Sequence, residues 1–381
     1  MDREIESGPY FLDRVRGRIA YMTKPGNIEV RNYDLPASLE AMGVLLEVIQ
    51  TNVCGTDVHI FHDRHPVVKS GGLGHEMVGR VVRLGDGVKT DSAGAPIRVG
   101  DRVVPVYTGI CHRCENCARG VVNHCDVAFE YFGRVDTPPH FHGSTFATHY
   151  YVHPNQQFYR VPDGVSNASA ASANCALSQV MYGLDRAGVT VGHNVVIQGA
   201  GGLGVLAAAV AKERGATVVV LDMVKSRLEF AKRFGADHVI NVDEMGNLGD
   251  RVKLVQQLFY RQGADVVVEV TGVPAVFAEG VSYLRAGGTY VVMGTISPGL
   301  TTQFDPGLLV RKSATIIGIN RYPPEFLWQA MSFLERAEKK YPFGDVLDCA
   351  FTLDQTQQAI EASARREVQR ATIVFAEETT Q

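Results

Sequence analysis

The pattern of apolar residues in the second half of the chain predicts a βαβ unit. Residues 194–222 read NVVIQGAGGLGVLAAAVAKERGATVVVLD. A short apolar run that ends at glycine is typical of a buried strand, and a longer alanine-rich run is typical of a helix. We therefore expect a strand at Val195–Gln198, a glycine turn, a helix at Val205–Glu213 and a second strand that ends at Asp222.

Four more strand-like runs and two helical stretches follow this unit. The runs are DHVINV, ADVVVEVTG, GGTYVVMGT and SATIIGIN, and the helical stretches are Leu248–Tyr260 and Pro274–Leu284. Strands that alternate with helices favour a parallel sheet. The pattern thus predicts an α/β fold with a six-stranded, doubly wound parallel sheet.

The chain before this unit has short strands punctuated by glycine and proline, which predicts a β-rich, barrel-like domain. The tail from about Tyr322 is expected to return to that domain. We therefore place a catalytic domain at 1–173 and 322–381, with a dinucleotide-binding domain inserted at 174–321. Residues 127–150 are rich in histidine, proline and aromatic residues, and form a loop that either lines a substrate channel or lies on the surface.

Composition removes several classes of protein. The chain has 381 residues, of which 45% are hydrophobic and 20% charged, with a formal net charge of −4. A nucleic-acid partner is not expected, because such proteins are usually basic. The charged N-terminus has no signal-peptide pattern, and no apolar run is long enough to span a membrane. We expect a cytoplasmic protein, in which clustered cysteines are metal ligands or redox groups rather than disulfides.

Four of the seven cysteines lie in the segment CHRCENCARGVVNHC. They are Cys111, Cys114, Cys117 and Cys125, and they predict a structural zinc site in a lobe at 108–126, because zinc favours four thiolates in closed sites. Unliganded thiols and an iron–sulfur cluster are the alternatives, although the ferredoxin continuation C-x3-C-P is absent. A nucleic-acid zinc ribbon would separate two C-x2-C pairs by a longer gap.

The glycine turn has the spacing of a dinucleotide-binding loop. Gly199, Gly201 and Gly204 follow a predicted strand and open a helix, where a pyrophosphate meets the helix N-terminus; Gly202 and Leu203 complete the loop. Asp222 ends the next strand, where an acid accepts hydrogen bonds from the adenosine ribose. NAD is therefore favoured over NADP, although Arg227 is close enough to weaken this preference.

Five motifs together resemble the zinc-containing medium-chain alcohol dehydrogenases over nearly the whole chain. They are CGTDVH at 54–59, GHEMVG at 74–79, GDRVV at 100–104, the four-cysteine lobe and GAGGLG at 199–204. The resemblance implies a GroES-like catalytic domain with an inserted Rossmann domain. It also implies two zinc ions per subunit, a homodimer or homotetramer, and a small alcohol or carbonyl compound as substrate.

The resemblance also assigns roles to individual residues. Cys54, His75 and Cys175 would hold a catalytic zinc, although the neighbouring Asn174 falls at a spacing seen in some relatives. Asp57 would orient the histidine, and Glu76 would lie behind the metal. Proton transfer would use Thr56 and His59. The nicotinamide would lie near Thr271, Gly294 and Thr295, and Arg370 would reach the pyrophosphate. Cys349, the seventh cysteine, is expected in a buried strand.

The sequence CGTDVHI resembles the polyol, threonine and secondary-alcohol branches of the family, which favours oxidation of a secondary alcohol with NAD. Those branches usually have an acid where this chain has Cys175, so the substrate is left open. An NADP-preferring carbonyl reductase of the same family is one alternative. A zinc- and nucleotide-binding sensor without turnover is the other, and the retained zinc and proton-transfer residues argue against it.

Overall fold

A computed structural model describes residues 16–65, 68–294 and 298–375. The chain forms two units: one comprises Met1–Asn174 and Leu347–Gln381, and the other comprises Cys175–Val346. None of the helices in the described ranges has both the length and the apolar content needed to cross a bilayer.

The strands of the described ranges follow one another along the chain in this order. They are β1 (Arg16–Lys24), β2 (Asn27–Asp34), β3 (Val44–Asn52), β4 (Gly71–Gly72), β5 (Glu76–Leu84), β6 (Arg102–Gly109), β7 (His149–Val152), β8 (Gln156–Arg160), β9 (Asn194–Gln198), β10 (Thr217–Asp222), β11 (His238–Asn241), β12 (Ala264–Glu269), β13 (Leu284–Val292), β14 (Thr315–Gly318), β15 (Cys349–Phe351) and β16 (Ala371–Val374).

The helices are likewise numbered from the N-terminus. They are α1 (Gly55–Phe61), α2 (Glu115–Ala118), α3 (Asn167–Ala171), α4 (Ser178–Arg186), α5 (Gly202–Glu213), α6 (Lys225–Arg233), α7 (Leu248–Leu258), α8 (Val276–Tyr283), α9 (Gly307–Lys312), α10 (Glu325–Ala337) and α11 (Thr356–Ala364). A π-helical turn at Ala173–Leu177 precedes α4.

The first unit is rich in strands, as predicted, and nearly all of its strand pairs are antiparallel. One sheet has the order β2-β1-β4, and a larger one has the order β15-β16-β3-β5-β6-β8, with β7 also paired to β3. Its core includes Val44, Leu46 and Val48 of β3 packed with Met77 and Val81 of β5. Val44, Leu46 and Val48 alternate along β3 and so share one face. Part of the opposite face is buried as well, so this interior strand of the sheet is covered on both faces over part of its length.

The loop at 127–150 is built into this unit rather than lying only on its surface. Phe141, Phe146 and Ala147 are fully buried. His142 and His153 are also buried and approach each other through their ring nitrogens at 2.9 Å. Of the two alternatives left by the sequence, a plain surface loop is therefore wrong for the second half of this segment.

The second unit contains the predicted six-stranded parallel sheet, in the order β11-β10-β9-β12-β13-β14. The chain proceeds from β9 towards β11 in one direction and from β12 towards β14 in the other, so the order reverses between β9 and β12. Val195, Val196 and Ile197 of the central strand are fully buried, as expected when helices cover both faces of a parallel sheet. This reversal is where open α/β sheets bind their ligands, beyond the carboxyl ends of the strands.

Two sequence predictions need correction. The second domain boundary lies at 347 rather than 322, because α10 belongs to the inserted unit, where Phe326 packs on Tyr182 of α4 with ring centroids 5.0 Å apart. An amphipathic helix shows that it covers a core but not which core it covers. Cys349 does lie in a strand, but it is half-buried rather than buried.

Candidate zinc and dinucleotide sites

Cys54 lies between the end of β3 and the start of α1, and Asp57 fixes its backbone. The Cys54 N–H donates to Asp57 Oδ2 at 2.9 Å, which caps the first turn of the helix. Asp57 is completely buried. Its carboxylate therefore serves the backbone around the candidate ligand, and a buried charge of this kind is stable only when hydrogen-bonded.

The same carboxylate positions His75. Asp57 Oδ1 accepts the N–H of Gly74 at 3.0 Å and lies 3.8 Å from His75 Nδ1. Gly74 has φ +85°, and a Cβ there would lie 2.6 Å from Thr145 Oγ1, so the position requires glycine. Burial alone would lower the pKa of His75, but the charges of Cys54 and Asp57 outweigh it and raise this pKa well above its ordinary value.

The segment before Cys175 is anchored through Asn174. The Asn174 amide donates to the carbonyl oxygens of His75 at 3.0 Å and Pro105 at 3.1 Å, and its Oδ1 accepts the Met77 N–H at 3.3 Å. The side chain of Asn174 is therefore committed to backbone groups. Cys175, the next residue of the same helical turn, is the one that brings a ligand atom to the cluster.

The donor set fits a zinc ion. One ligand atom from each of four buried side chains lies within 4.8 Å of the others, and these side chains are Cys54, His75, Glu76 and Cys175. Sulfur and imidazole nitrogen are the donors that zinc prefers, and a catalytic site uses about three of them. The second carboxylate oxygen of Glu76 is buried with no hydrogen-bond partner among the described residues. A buried acceptor without a donor, beside two thiols and an imidazole, fits a site that a bound cation would complete.

Arg370 contacts this centre from the residue just before β16. Its Nη2 donates to Glu76 Oε1, and both side chains are buried in the first unit. Burial raises the pKa of Glu76 to about 8, against the opposing charge of Arg370. The sequence assigned Arg370 to a pyrophosphate; the structure shows its guanidinium on Glu76 and its N–H on Asp348 Oδ1 at 3.1 Å. Its contact with a cofactor stays a prediction.

Thr56 and His59 lie on α1, three residues apart, and so share one face of the helix. Thr56 Oγ1 is 4.0 Å from Cys54 Sγ. His59 is half-buried, and its Nδ1 has no hydrogen-bond partner in the part of the chain that the structure describes. Burial and the nearby Arg64 lower the pKa of His59. Its ring is thus neutral near pH 7 and able to accept a proton.

The four-cysteine lobe assembles a second donor set. The Sγ atoms of Cys111, Cys114, Cys117 and Cys125 all lie within 4.8 Å of one another. Hydrogen bonds from the backbone at Asp126 and Cys117 lower the pKa of Cys114 to about 6, so this thiol is ready to serve as a thiolate. Helix α2 in the lobe buries no residue. A lobe without a core of its own fits a site that a structural zinc holds together.

The glycine loop follows β9 directly. Gly199 has φ +107°, and a Cβ on Gly204 would clash with Gly199 O, so the turn and the start of α5 both need glycine. A Cβ on Gly201 would meet nothing within 4 Å. Helix α5 begins at Gly202, earlier than predicted, which presents its free N–H groups together with Leu203 to this open space. The arrangement suits a pyrophosphate at a helix N-terminus.

Asp222 ends β10 beside this loop. Its Oδ2 accepts the Ala200 N–H at 2.8 Å, and its Oδ1 accepts the Val224 N–H at 2.9 Å. The carboxylate thus joins the glycine loop to the loop after β10. Arg227 lies on α6 and is half-buried. The structure therefore places the acid where the sequence predicts contact with the adenosine ribose.

Thr271 and Gly294 follow β12 and β13 at the same edge of the sheet. Both donate their backbone N–H to the carboxylate of Glu269, a residue that the sequence analysis did not single out. The sequence does contain an indication of its role: Glu269 directly follows the apolar run Val266–Val268 and is therefore expected to be buried. A buried carboxylate needs hydrogen-bond donors, which the loops at the strand ends can supply. Thr295, predicted to contact the nicotinamide, lies outside the described residues.

This fold and these donor sets define a zinc-type dehydrogenase with a dinucleotide-binding domain. Residues 40–163 match the family model of the alcohol dehydrogenase GroES-like domain, and residues 202–336 match that of the zinc-binding dehydrogenase. The 5-exo-hydroxycamphor dehydrogenase of Pseudomonas putida is 32% identical over 352 residues, covering 90% of this chain and 94% of that protein. The sorbitol dehydrogenase of Halalkalibacterium halodurans is 30% identical, covering 84% and 88%.

Solved structures agree with these relatives. An alcohol dehydrogenase from Thermotoga maritima has a TM-score of 0.87 at 26% identity, covering 94% of this chain and 99% of that chain. The chain belongs to the zinc-dependent medium-chain alcohol dehydrogenase family. It is an oxidoreductase acting on CH–OH donors, with zinc and a pyridine nucleotide as cofactors.

Proposed function

We propose that this chain oxidises a secondary alcohol to a ketone with NAD as hydride acceptor. The position of Asp222 is the observation that supports NAD over NADP. Its carboxylate, at the end of β10, is held by two backbone N–H groups beside the glycine loop. An acid in this position favours a ribose with both hydroxyls free, because a 2′-phosphate would repel it.

The motif CGTDVHI and the relatives support a secondary alcohol. The hydroxyl group of 5-exo-hydroxycamphor, named in one relative, is secondary by its chemistry, and sorbitol carries several secondary hydroxyls. We therefore expect ring alcohols or polyols to be better substrates than short primary alcohols.

A cytoplasmic location and a homodimer or homotetramer complete the proposal. Ile316, partly exposed on the sheet's edge strand β14 of the described residues, is consistent with self-association.

The proposed mechanism assigns the metal to Cys54, His75 and Cys175, with Glu76 as a fourth donor group nearby. When bound, zinc acts as a Lewis acid that lowers the pKa of an alcohol, and the nicotinamide accepts the hydride. Thr56 Oγ1 accepts the proton of the substrate hydroxyl as it passes its own proton to the ribose hydroxyls of the nucleotide. His59, with its lowered pKa and neutral ring, receives a proton from those hydroxyls and carries it towards solvent.

Steady-state rates with a panel of primary, secondary and polyhydric alcohols test the proposal, each measured with NAD and with NADP through the absorbance of the reduced nicotinamide. We expect the highest kcat/KM with a secondary alcohol and NAD. Higher efficiency with NADPH and a carbonyl compound would favour the carbonyl reductase instead. Nucleotide binding without turnover of any alcohol or carbonyl compound would favour a sensor. A single peak at the subunit mass in light scattering would remove the oligomer from the proposal.

A further inference from the structure

Glu269 is a buried acid for which the proposed reaction has no assigned use. It ends β12 after Val266, Val267 and Val268, and it is only 1% exposed. A carboxylate that is removed from water costs free energy unless hydrogen bonds compensate it. The hydrogen-bond partners of Glu269 therefore indicate what the residue does.

Donors from two loops converge on this one carboxylate. Oε1 accepts the Thr271 N–H at 2.6 Å, the Thr271 hydroxyl at 2.7 Å and the Gly272 N–H at 2.8 Å. Oε2 accepts the Gly294 N–H at 3.2 Å, and this N–H is shared with the main-chain oxygen of Glu269 at 3.1 Å. A carboxylate only accepts hydrogen bonds, so it matches this set of donors. Glu269 thereby connects Thr271 and Gly272, after β12, with Gly294, the residue that follows Met293 after β13.

The two loops approach each other too closely for side chains. A Cβ on Gly294 would lie 2.6 Å from the Gly272 nitrogen and 2.8 Å from Glu269 Oε1. Gly272 has φ +71°, and a Cβ there would lie 3.1 Å from Gly294 O. The backbones at Gly272 and Gly294 are thus in direct contact, and the N–H groups of both residues reach the carboxylate of Glu269.

These loops lie on the second half of the sheet. In the register of the strands, Glu269 is level with Gln198 of β9 and with Val292 of β13, so their carboxyl ends share one edge. Asp222 ends β10, in the other half of the sheet, where the adenosine ribose is expected. The nicotinamide end of a bound dinucleotide is then expected beyond the ends of β12 and β13.

We propose that Glu269 is a positioning residue that holds Thr271 and Gly272, after β12, against Gly294, after β13, in the conformation that receives the nicotinamide half of the cofactor. The inference rests on the proposed function, because it assumes that the chain binds a nicotinamide dinucleotide. Replacing the carboxylate with an amide keeps its shape but turns one acceptor into a donor that faces N–H groups. The loops should then rearrange while the glycine loop and Asp222 remain intact.

The test compares the binding of NAD and ADP-ribose by calorimetry to the zinc-loaded parent and to E269Q. ADP-ribose retains the adenosine and pyrophosphate but lacks the nicotinamide. We expect E269Q to weaken NAD binding by about tenfold, the loss of one hydrogen bond to a charged group, and to change ADP-ribose binding less than twofold. The variant T271V removes the hydroxyl that donates to Glu269 and that accepts the Val273 N–H at 3.0 Å, but it keeps the carboxylate. It should weaken NAD binding in the same direction as E269Q but by less.

E279Q is the matched control. Glu279 is another acid of the same unit that is largely removed from solvent; it lies on helix α8 and pairs with Arg251 at 2.8 Å. Its replacement should lower the melting temperature without changing the ratio of the two affinities. Equal weakening of NAD and ADP-ribose by E269Q, no weakening of either, or the same ratio change in E279Q would overturn the inference. A parent that binds ADP-ribose but not NAD, or neither ligand, would overturn the proposed function as well.

Discussion

Cofactor choice is expected to depend on the carboxylate of Asp222. Each carboxylate oxygen has two lone pairs. One on each oxygen is used by the N–H of Ala200 or Val224. The remaining lone pairs are therefore available to the two hydroxyls of the adenosine ribose. Replacing Asp222 with alanine removes both acceptors and also leaves two backbone N–H groups without their partner.

The magnitude follows from these contacts. A hydrogen bond to a charged group contributes about 1.5–3 kcal/mol. In NADP, one of the two ribose hydroxyls is replaced by a phosphate, which would face the carboxylate of Asp222 and be repelled by it. Arg227 offsets little of this repulsion, because a solvent-accessible ion pair contributes only about 0–1 kcal/mol. The parent should therefore prefer NAD by at least about 100-fold in kcat/KM, or roughly 2.7 kcal/mol.

Initial rates with both nucleotides measure this preference. In D222A most of the gap should disappear, chiefly through a higher KM for NAD. The matched control is D265N: Asp265 accepts the Asn194 N–H at 2.7 Å and Arg285 Nε at 2.5 Å near the start of β12. It should lower thermal stability and leave the nucleotide ratio unchanged. A parent that uses both nucleotides equally, or a D222A variant that keeps the original preference, would refute the reasoning.

The remaining predictions concern the metals and the proton path. Elemental analysis should find two zinc ions per subunit. The variant C114S should lose one of these ions, and its melting temperature should fall by several degrees. If C114S keeps both the second zinc and the parent's melting temperature, the lobe is not held together by metal. H75A should abolish turnover but leave the calorimetric affinity for NAD near that of the parent; a tenth of the parent rate would remove zinc from the mechanism. H59A should reduce kcat about 10–100-fold. The parent rate should fall with acidification below pH 6.5, as His59 gains a proton, and H59A should lack this limb; identical pH profiles would exclude His59 as the proton acceptor.

Local patterns were enough to predict most of the inserted unit. The buried run Val195–Gln198 and the glycine spacing after it depend on contacts within one βαβ unit, and the strand and turn lie where they were predicted. The four cysteines of the lobe are also close in sequence. Features of this kind are visible because the period of the side chains and the needs of a tight turn are local.

Contacts between distant segments were not predictable in the same way. Arg370 and Glu76 are far apart in sequence, and their ion pair exists only because β16 is paired with β3, which pairs with β5. The helix α10 could be recognised as amphipathic, but its partner α4 could not. A sequence pattern specifies which residues are buried, whereas the neighbour that buries them is decided by the topology.

Three carboxylates show why the site is more than its ligands. Asp57 joins the backbone at Cys54 to that at Gly74, Asp222 joins the glycine loop to the loop after β10, and Glu269 joins the loops after β12 and β13. Each acid accepts N–H groups from two segments that are separate along the chain. A carboxylate has only acceptors, whereas an amide of the same shape has an NH2 group in place of one oxygen. That NH2 donor would face a backbone N–H donor. The chain thus fixes the loops around its predicted metal and cofactor positions with buried acids, and neutral isosteres at these positions should disturb ligand binding more than folding.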